Sequence, residues 1–104
     1  MYPFLLIGRS CDFMMIRKHF IFSGSVQGVG FRYRAHYAAL SRGLTGYVRN
    51  LSDGTVEMEL QGDSNAISQC IGDIDSGHFI HIDGIESKEI PLSEESGFKV
   101  LGSY

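Results

Sequence analysis

Alternating apolar and polar positions predict strands in three parts of the chain. The segment 16–23 is rich in β-branched and aromatic residues, and its two phenylalanines point to one face. The segment 44–50 is a shorter apolar stretch, and 56–61 alternates strictly, which places Glu57 and Glu59 on an outer face that we expect to be solvated. An Asp-Gly pair separates the last two segments and predicts that they form a hairpin.

Apolar residues spaced by three and four positions predict two helices. The segment 31–42 has no proline or internal glycine and ends before Gly43, a residue suited to a left-handed cap. Asp63 and Ser64 are typical capping residues at the start of the second helix. The residues predicted to face the core are Phe31, Ala35, Ala38 and Ala39 in the first helix and Ile67, Cys70, Ile71 and Ile74 in the second.

The segment 76–91 has no consistent period, because its isoleucines do not share one alternation. We expect an irregular or bulged strand near 82–90, and a last short strand at 98–101. The predicted order is βαββαβ with this irregular segment added. Right-handed crossovers through the two helices then predict a ferredoxin-like α/β sandwich, with an antiparallel sheet and both helices on one face.

The length of 104 residues is typical of one domain, and 43% apolar and 20% charged residues are typical of a globular protein. We expect residues 15–104 to form that domain. Residues 1–14 are expected to be an N-terminal extension that is disordered or not native. Cys11 and Cys70 have neither a disulfide framework nor zinc-ligand spacing, which predicts a metal-free fold in a reducing compartment, the cytoplasm. No apolar run approaches the ~18 residues of a membrane span, so no membrane association is predicted.

Charge is distributed unevenly between the two halves of the chain. Residues 1–50 contain seven Arg or Lys and one acidic residue, whereas residues 51–104 contain two lysines and eleven acidic residues. The basic half has no basic run longer than two residues, and the outer positions of 56–61 would repel RNA. We therefore predict no nucleic-acid partner. The basic half is interpreted as a locally positive face, or as a site for a small anion.

A glycine-rich loop at 24–30 joins the first strand to the first helix. Its glycines permit a tight turn, and the unpaired N–H groups at a helix start, together with the helix dipole, can hold an anion. Arg32 adds a planar fork that fits two phosphate oxygens. The spacing is not that of a nucleotide-binding loop. On spacing alone, a tight turn with a surface arginine is an equally good interpretation.

Two longer motifs include this loop and the hairpin. The segment 24–32 matches the acylphosphatase signature G-x-V-Q-G-V-x-F-R at every specified position. The segment 46–62 begins Gly-Tyr-Val-Arg-Asn and continues with the glycines and valine of the second signature, and Phe98-x-Val100 is similar to the last strand of that family. Tyr47 departs from the tryptophan frequent there, and Gly-His-Phe at 77–79 departs from the usual proline-containing stretch. The domain thus resembles the acylphosphatase family.

That resemblance implies a metal-independent and cofactor-free hydrolysis of acyl phosphates to carboxylate and inorganic phosphate. The family position matched by Arg32 binds the phosphate, and the position matched by Asn50 orients the attacking water. The backbone N–H groups expected to form the phosphate cradle belong to Ser25, Val26, Gln27, Gly28, Val29 and Gly30.

The expected partner is a small-molecule acyl phosphate, and the expected oligomeric state is a monomer. The alternative is a non-catalytic anion-binding or regulatory module with the same ferredoxin-like fold. The presence of both Arg32 and Asn50 favours the enzyme. The sequence indicates no dedicated pocket for the acyl group.

Overall fold

A computed structural model describes residues 14–102. The elements follow in the order β1 (Met15–Ser25), α1 (Phe31–Ser41), β2 (Thr45–Asn50), β3 (Val56–Asp63), α2 (Ser64–Asp75), β4 (His81–Ile90) and β5 (Phe98–Val100). Each predicted strand and helix is present within a few residues of its predicted bounds. The expected extension at 1–14 lies, except for Met14, outside the described residues.

The five strands form one sheet in the spatial order β4-β1-β3-β2-β5. All neighbouring strands are antiparallel except β2 and β5, which run parallel. The link 91–97 leaves the β4 edge at the same end of the sheet where β2 begins, so β5 starts there and runs parallel to β2. Gln61 holds this link by hydrogen bonds to the backbone of Ser93, each 2.9 Å long. The predicted ferredoxin-like fold is confirmed, with this one parallel pair in the sheet.

The core lies between the sheet and the two helices. Phe20 and Phe22 on β1 and the alternating apolar residues of β3 face the helices and are buried. The four apolar residues predicted for α1 are all buried, and the ring centroids of Phe22 and Phe31 are 4.9 Å apart. Ile67, Cys70 and Ile74 of α2 belong to the same core, so both helices cover the same face of the sheet.

The irregular strand predicted near 82–90 is β4, and its irregularity is a bulge. Ser23 on β1 lies opposite Gly84, but the next residue, Gly24, lies opposite Ile82, so the register shifts by one residue. The bulge changes the phase of the strand. Ile82 and Ile85 lie opposite Gly24 and Phe22 and therefore share the helix-facing side of the sheet although they are three positions apart. Ile90 lies opposite Arg17 on the outer face, so the isoleucines share no single alternation.

The outer face of the sheet is less solvated than its sequence suggests. Arg17 is only 4% exposed and donates hydrogen bonds to Glu59 and to Glu95 of the link. Glu57 accepts a 2.6 Å hydrogen bond from Arg49 and lies 2.8 Å from the Nε2 atom of His19. The expectation that Glu57 and Glu59 are solvated is wrong, because cationic partners on neighbouring strands partly cover both side chains.

Candidate active site

The loop between β1 and α1 depends on glycine at two positions. Gly28 has a φ of 74° and Gly30 has a φ of 85°, both in the left-handed region. A Cβ atom at either position would meet nothing within 4 Å, so backbone conformation, rather than space, requires glycine. Gly30 is also the N-cap of α1, and it turns the chain directly into the helix.

The backbone of residues 26–30, which we call the N–H loop, presents free donors. None of its N–H groups donates a hydrogen bond to another group within residues 14–102. The first turn of α1 has no acidic residue, and no side chain caps it. The positive end of the helix dipole therefore adds to these donors, an arrangement suited to an anion.

Arg32, the second residue of α1, is held against the C-terminal part of the chain. Its Nη1 atom donates a 2.9 Å hydrogen bond to the carbonyl oxygen of Leu101, whose own N–H donates to Val48 on β2. Among the described residues, no carboxylate lies within 4.0 Å of the Arg32 guanidinium. The guanidinium is therefore oriented by a neutral carbonyl and keeps its full positive charge for a ligand.

Asn50 is the last residue of β2, and it continues the inward-facing row of that strand. It is 9% exposed, and its Oδ1 atom has no hydrogen-bond partner in the part of the chain that the structure describes. A buried acceptor without a donor costs roughly 1–3 kcal/mol. Such an atom at the end of an apolar row is typical of a functional position, because packing alone gives no reason for it.

Arg32 and Asn50 line one cavity of about 410 Å³ at the end of the N–H loop. Val26, Gly28 and Gly30 also line it, so five of the eight residues proposed from the sequence meet there. Ser25, Gln27 and Val29 do not line this cavity. Ser25 is paired with His81 in the sheet, and Val29 faces a neighbouring groove.

Gln27 has a side-chain position that the sequence did not indicate. Its Nε2 atom donates to the carbonyl oxygens of Leu51 and Thr55, at 2.7 and 2.8 Å. Both acceptors belong to the turn that follows Asn50. Gln27 therefore joins the N–H loop to the β2–β3 turn and fixes the distance between the two halves of the cavity.

The cavity is also lined by residues that the sequence did not indicate as part of the site. Tyr33 contributes from α1, and the wall opposite the loop comes from Val100, Leu101 and Gly102. The only sequence signal for that wall was the closing Phe98-x-Val100 motif. It could not show that this segment lies beside β2.

Within residues 14–102 no group of three or more His, Cys, Asp or Glu side chains is arranged to hold a metal ion. Nor does this part of the chain contain a helix that is long and apolar enough to cross a membrane.

Comparison with known proteins gives a consistent result. A sequence model of the family Acylphosphatase matches residues 18–100. The chain is 52% identical over 93 residues to the acylphosphatase of Geobacillus kaustophilus, covering 84% of this chain and 95% of that protein. It is 46% identical over 79 residues to an acylphosphatase of Clostridium perfringens, covering 75% of this chain and 89% of that one. The crystal structure of acylphosphatase from Bacillus subtilis superposes with a TM-score of 0.78 at 33% identity, covering 85% of this chain and 99% of that chain.

These matches confirm the resemblance drawn from the two signatures, and they extend over the loop, the hairpin and the last strand. The chain therefore belongs to the acylphosphatase family, the hydrolases that cleave the carboxyl–phosphate bond of acyl phosphates.

Proposed function

We propose that this chain hydrolyses acyl phosphates with the phosphoryl group held between the N–H loop and Arg32, and with the attacking water held by Asn50. One observation carries the proposal: the same cavity is lined by backbone donors, a guanidinium and a buried acceptor for which residues 14–102 supply no hydrogen-bond acceptor, no carboxylate and no donor, respectively. The backbone donors and the guanidinium suit the phosphoryl anion. The buried acceptor suits water, a neutral molecule that donates hydrogen bonds.

Electrostatic stabilisation of the phosphoryl group is the main part of this mechanism. Phosphoryl transfer passes through a loose transition state with charge spread over three equatorial oxygens. The N–H loop and the Arg32 guanidinium supply fixed positive charge at these oxygens. The departing carboxylate is a good leaving group, so the site does not depend on a strong general acid.

Asn50 acts on the water by orientation, because a neutral amide does not accept a proton at pH 7. Its Oδ1 atom accepts a hydrogen bond from the water and aligns the water oxygen with phosphorus. The new O–P bond forms as the bond to the acyl oxygen breaks, and that oxygen leaves with the electron pair as carboxylate. Both water protons remain on the phosphate product, one of them transferred to a phosphoryl oxygen.

The test is phosphate release from benzoyl phosphate and acetyl phosphate by the wild type, Arg32→Ala and Asn50→Ala. We expect turnover to fall by about 10²-fold or more in both variants. Inorganic phosphate should still inhibit Asn50→Ala as it inhibits the wild type, whereas it should inhibit Arg32→Ala far more weakly. p-Nitrophenyl phosphate, a monoester with a poorer leaving group, should not be hydrolysed.

Two matched variants control for the loss of an arginine or an asparagine. Arg49 precedes Asn50 but lies on the outer face, where it is paired with Glu57, and Asn65 is exposed on α2. Arg49→Ala and Asn65→Ala should therefore retain wild-type turnover. Phosphate binding without turnover in the folded wild type would refute this mechanism and support the non-catalytic anion-binding alternative.

We also propose that the enzyme works as a monomer in the cytoplasm on free acyl phosphates, with no metal, nucleic acid or membrane. Within residues 14–102, Cys70 is a buried free thiol, as expected in a reducing compartment. Light scattering should give a mass near 11.5 kDa, and activity should persist in a chelator. A larger particle, or activity restored only by added metal, would contradict this part of the proposal.

A further inference from the structure

A second groove continues from the active-site cavity over the outer side of α1. Its volume is about 390 Å³, and it shares Gly30 and Tyr33 with the cavity. Tyr37 on α1 and Phe79, which precedes β4, form its walls. We call this surface the aromatic groove, defined by Tyr33, Tyr37 and Phe79.

The aromatic groove concentrates the exposed aromatic surface of the molecule. Tyr33, Tyr37 and Phe79 are 66%, 57% and 70% exposed, and they are the largely exposed Tyr and Phe side chains within residues 14–102. The Tyr33 and Tyr37 rings meet edge to face, with centroids 5.2 Å apart. Clustered apolar side chains at the rim of a polar cavity are typical of a ligand-binding surface.

The geometry of the reaction relates this groove to the leaving group. In an in-line displacement the attacking water and the departing oxygen lie on opposite sides of phosphorus. Asn50, which we place beside the water, lines the active-site cavity and is not among the described residues that line the groove. The groove meets the cavity at Gly30 and Tyr33, on the α1 side of the N–H loop, so a carboxyl group leaving away from Asn50 would enter it.

We infer that the aromatic groove binds the acyl group of the substrate, and that the enzyme favours acyl phosphates with an aromatic or large apolar acyl group over acetyl and carbamoyl phosphate. This inference rests on the proposed positions of phosphate and water. A planar acyl group packed between Tyr37 and Phe79 would remove apolar surface of both rings from water and add ring-to-ring contact. A methyl or amino group offers far less apolar surface for such contacts.

The test compares the ratio of kcat/KM for benzoyl phosphate to that for acetyl phosphate in the wild type, Tyr37→Ala and Phe79→Ala. Each ratio is divided by the wild-type ratio, which removes the difference in chemical reactivity between the two substrates. We expect the ratio to fall roughly two- to tenfold in each variant, mainly through KM for benzoyl phosphate. Leu40→Ala is the control, because Leu40 is exposed on the same helix outside the groove.

Unreactive phosphonates give a second readout that does not depend on turnover. Benzylphosphonate should inhibit the wild type more strongly than methylphosphonate, and this advantage should shrink in Tyr37→Ala and Phe79→Ala. Equal inhibition by both phosphonates, or an unchanged substrate ratio in both variants, would overturn the inference. The proposed function would survive that result, because it is tested separately by turnover of the wild type and by its loss in Arg32→Ala and Asn50→Ala.

Discussion

Asn50 is a buried polar residue whose acceptor atom has no partner within residues 14–102, at the end of a row that is otherwise apolar or glycine. Alternation along β2 places it on the same face as Val48, which is completely buried. The position therefore carries a cost in stability that the role proposed for Asn50 explains. The identity of Asn50 could be taken from the sequence, but its burial and its orphaned Oδ1 atom could not.

Asn50→Leu separates these two effects. We expect turnover to fall by about 10²-fold or more, because the water loses its acceptor. The free energy of unfolding should stay equal or rise by about 1 kcal/mol, because leucine removes an unsatisfied buried polar atom at similar shape. Urea denaturation and phosphate release measure the two quantities. A large loss of stability would show that Asn50 has a structural role instead.

At the scale of elements, the sequence was most informative where one residue type decides a local conformation. Gly43 adopts the expected left-handed conformation after α1, and Asp63 caps α2 by accepting a hydrogen bond from the Ala66 N–H. It was least informative where partners are distant along the chain. Alternation shows which face a side chain occupies but not what crosses that face, so the contact of Arg17 with Glu95 could not be predicted.

Gln27 provides a test of how two elements are coupled. Gln27→Leu keeps the size of the side chain but removes both hydrogen bonds to the β2–β3 turn. The loss of each bond should lower the free energy of unfolding by about 1 kcal/mol. We expect kcat to fall several-fold, because the N–H loop and Asn50 lose their fixed separation. Gln69→Leu is the matched control for steady-state kinetics, because Gln69 is exposed on α2 and its oxygen accepts a hydrogen bond from Arg42, away from the cavity. An unchanged kcat in Gln27→Leu would show that packing alone sets this separation.

At the scale of the whole molecule, the sheet separates two environments. One face packs against the helices. The other face carries ion pairs that join β1 to β3, β2 to β3, and β1 to the segment 91–97. Burial of Glu57 opposes its ionisation, but hydrogen bonds from His19 and Arg49 outweigh burial and hold its pKa below the ordinary value. The outer face is therefore a source of stability that depends on pH, separate from the active site.

The sign of that dependence follows from the lowered pKa. Stabilisation by Glu57 is fully present above its ordinary pKa of 4.5 and is lost as pH falls through the lower folded-state value. Glu57→Gln should therefore be less stable than the wild type at pH 7, and the difference should shrink below pH 4.5. Urea denaturation across this range measures it, with Glu86→Gln, on exposed β4, as the control. A difference that stays constant with pH would contradict the assignment.

The carbonyl of Leu101 that orients Arg32 is a main-chain atom, and this has an evolutionary consequence. The free N–H groups of the N–H loop, proposed to bind phosphate, and the carbonyl oxygens that accept from Gln27 also belong to the backbone. Positions such as 51, 55 and 101 can therefore exchange side chains without changing the polar atoms that they present. Substitutions at these positions can accumulate without loss of the site, because its polar geometry depends on only three side chains, those of Gln27, Arg32 and Asn50.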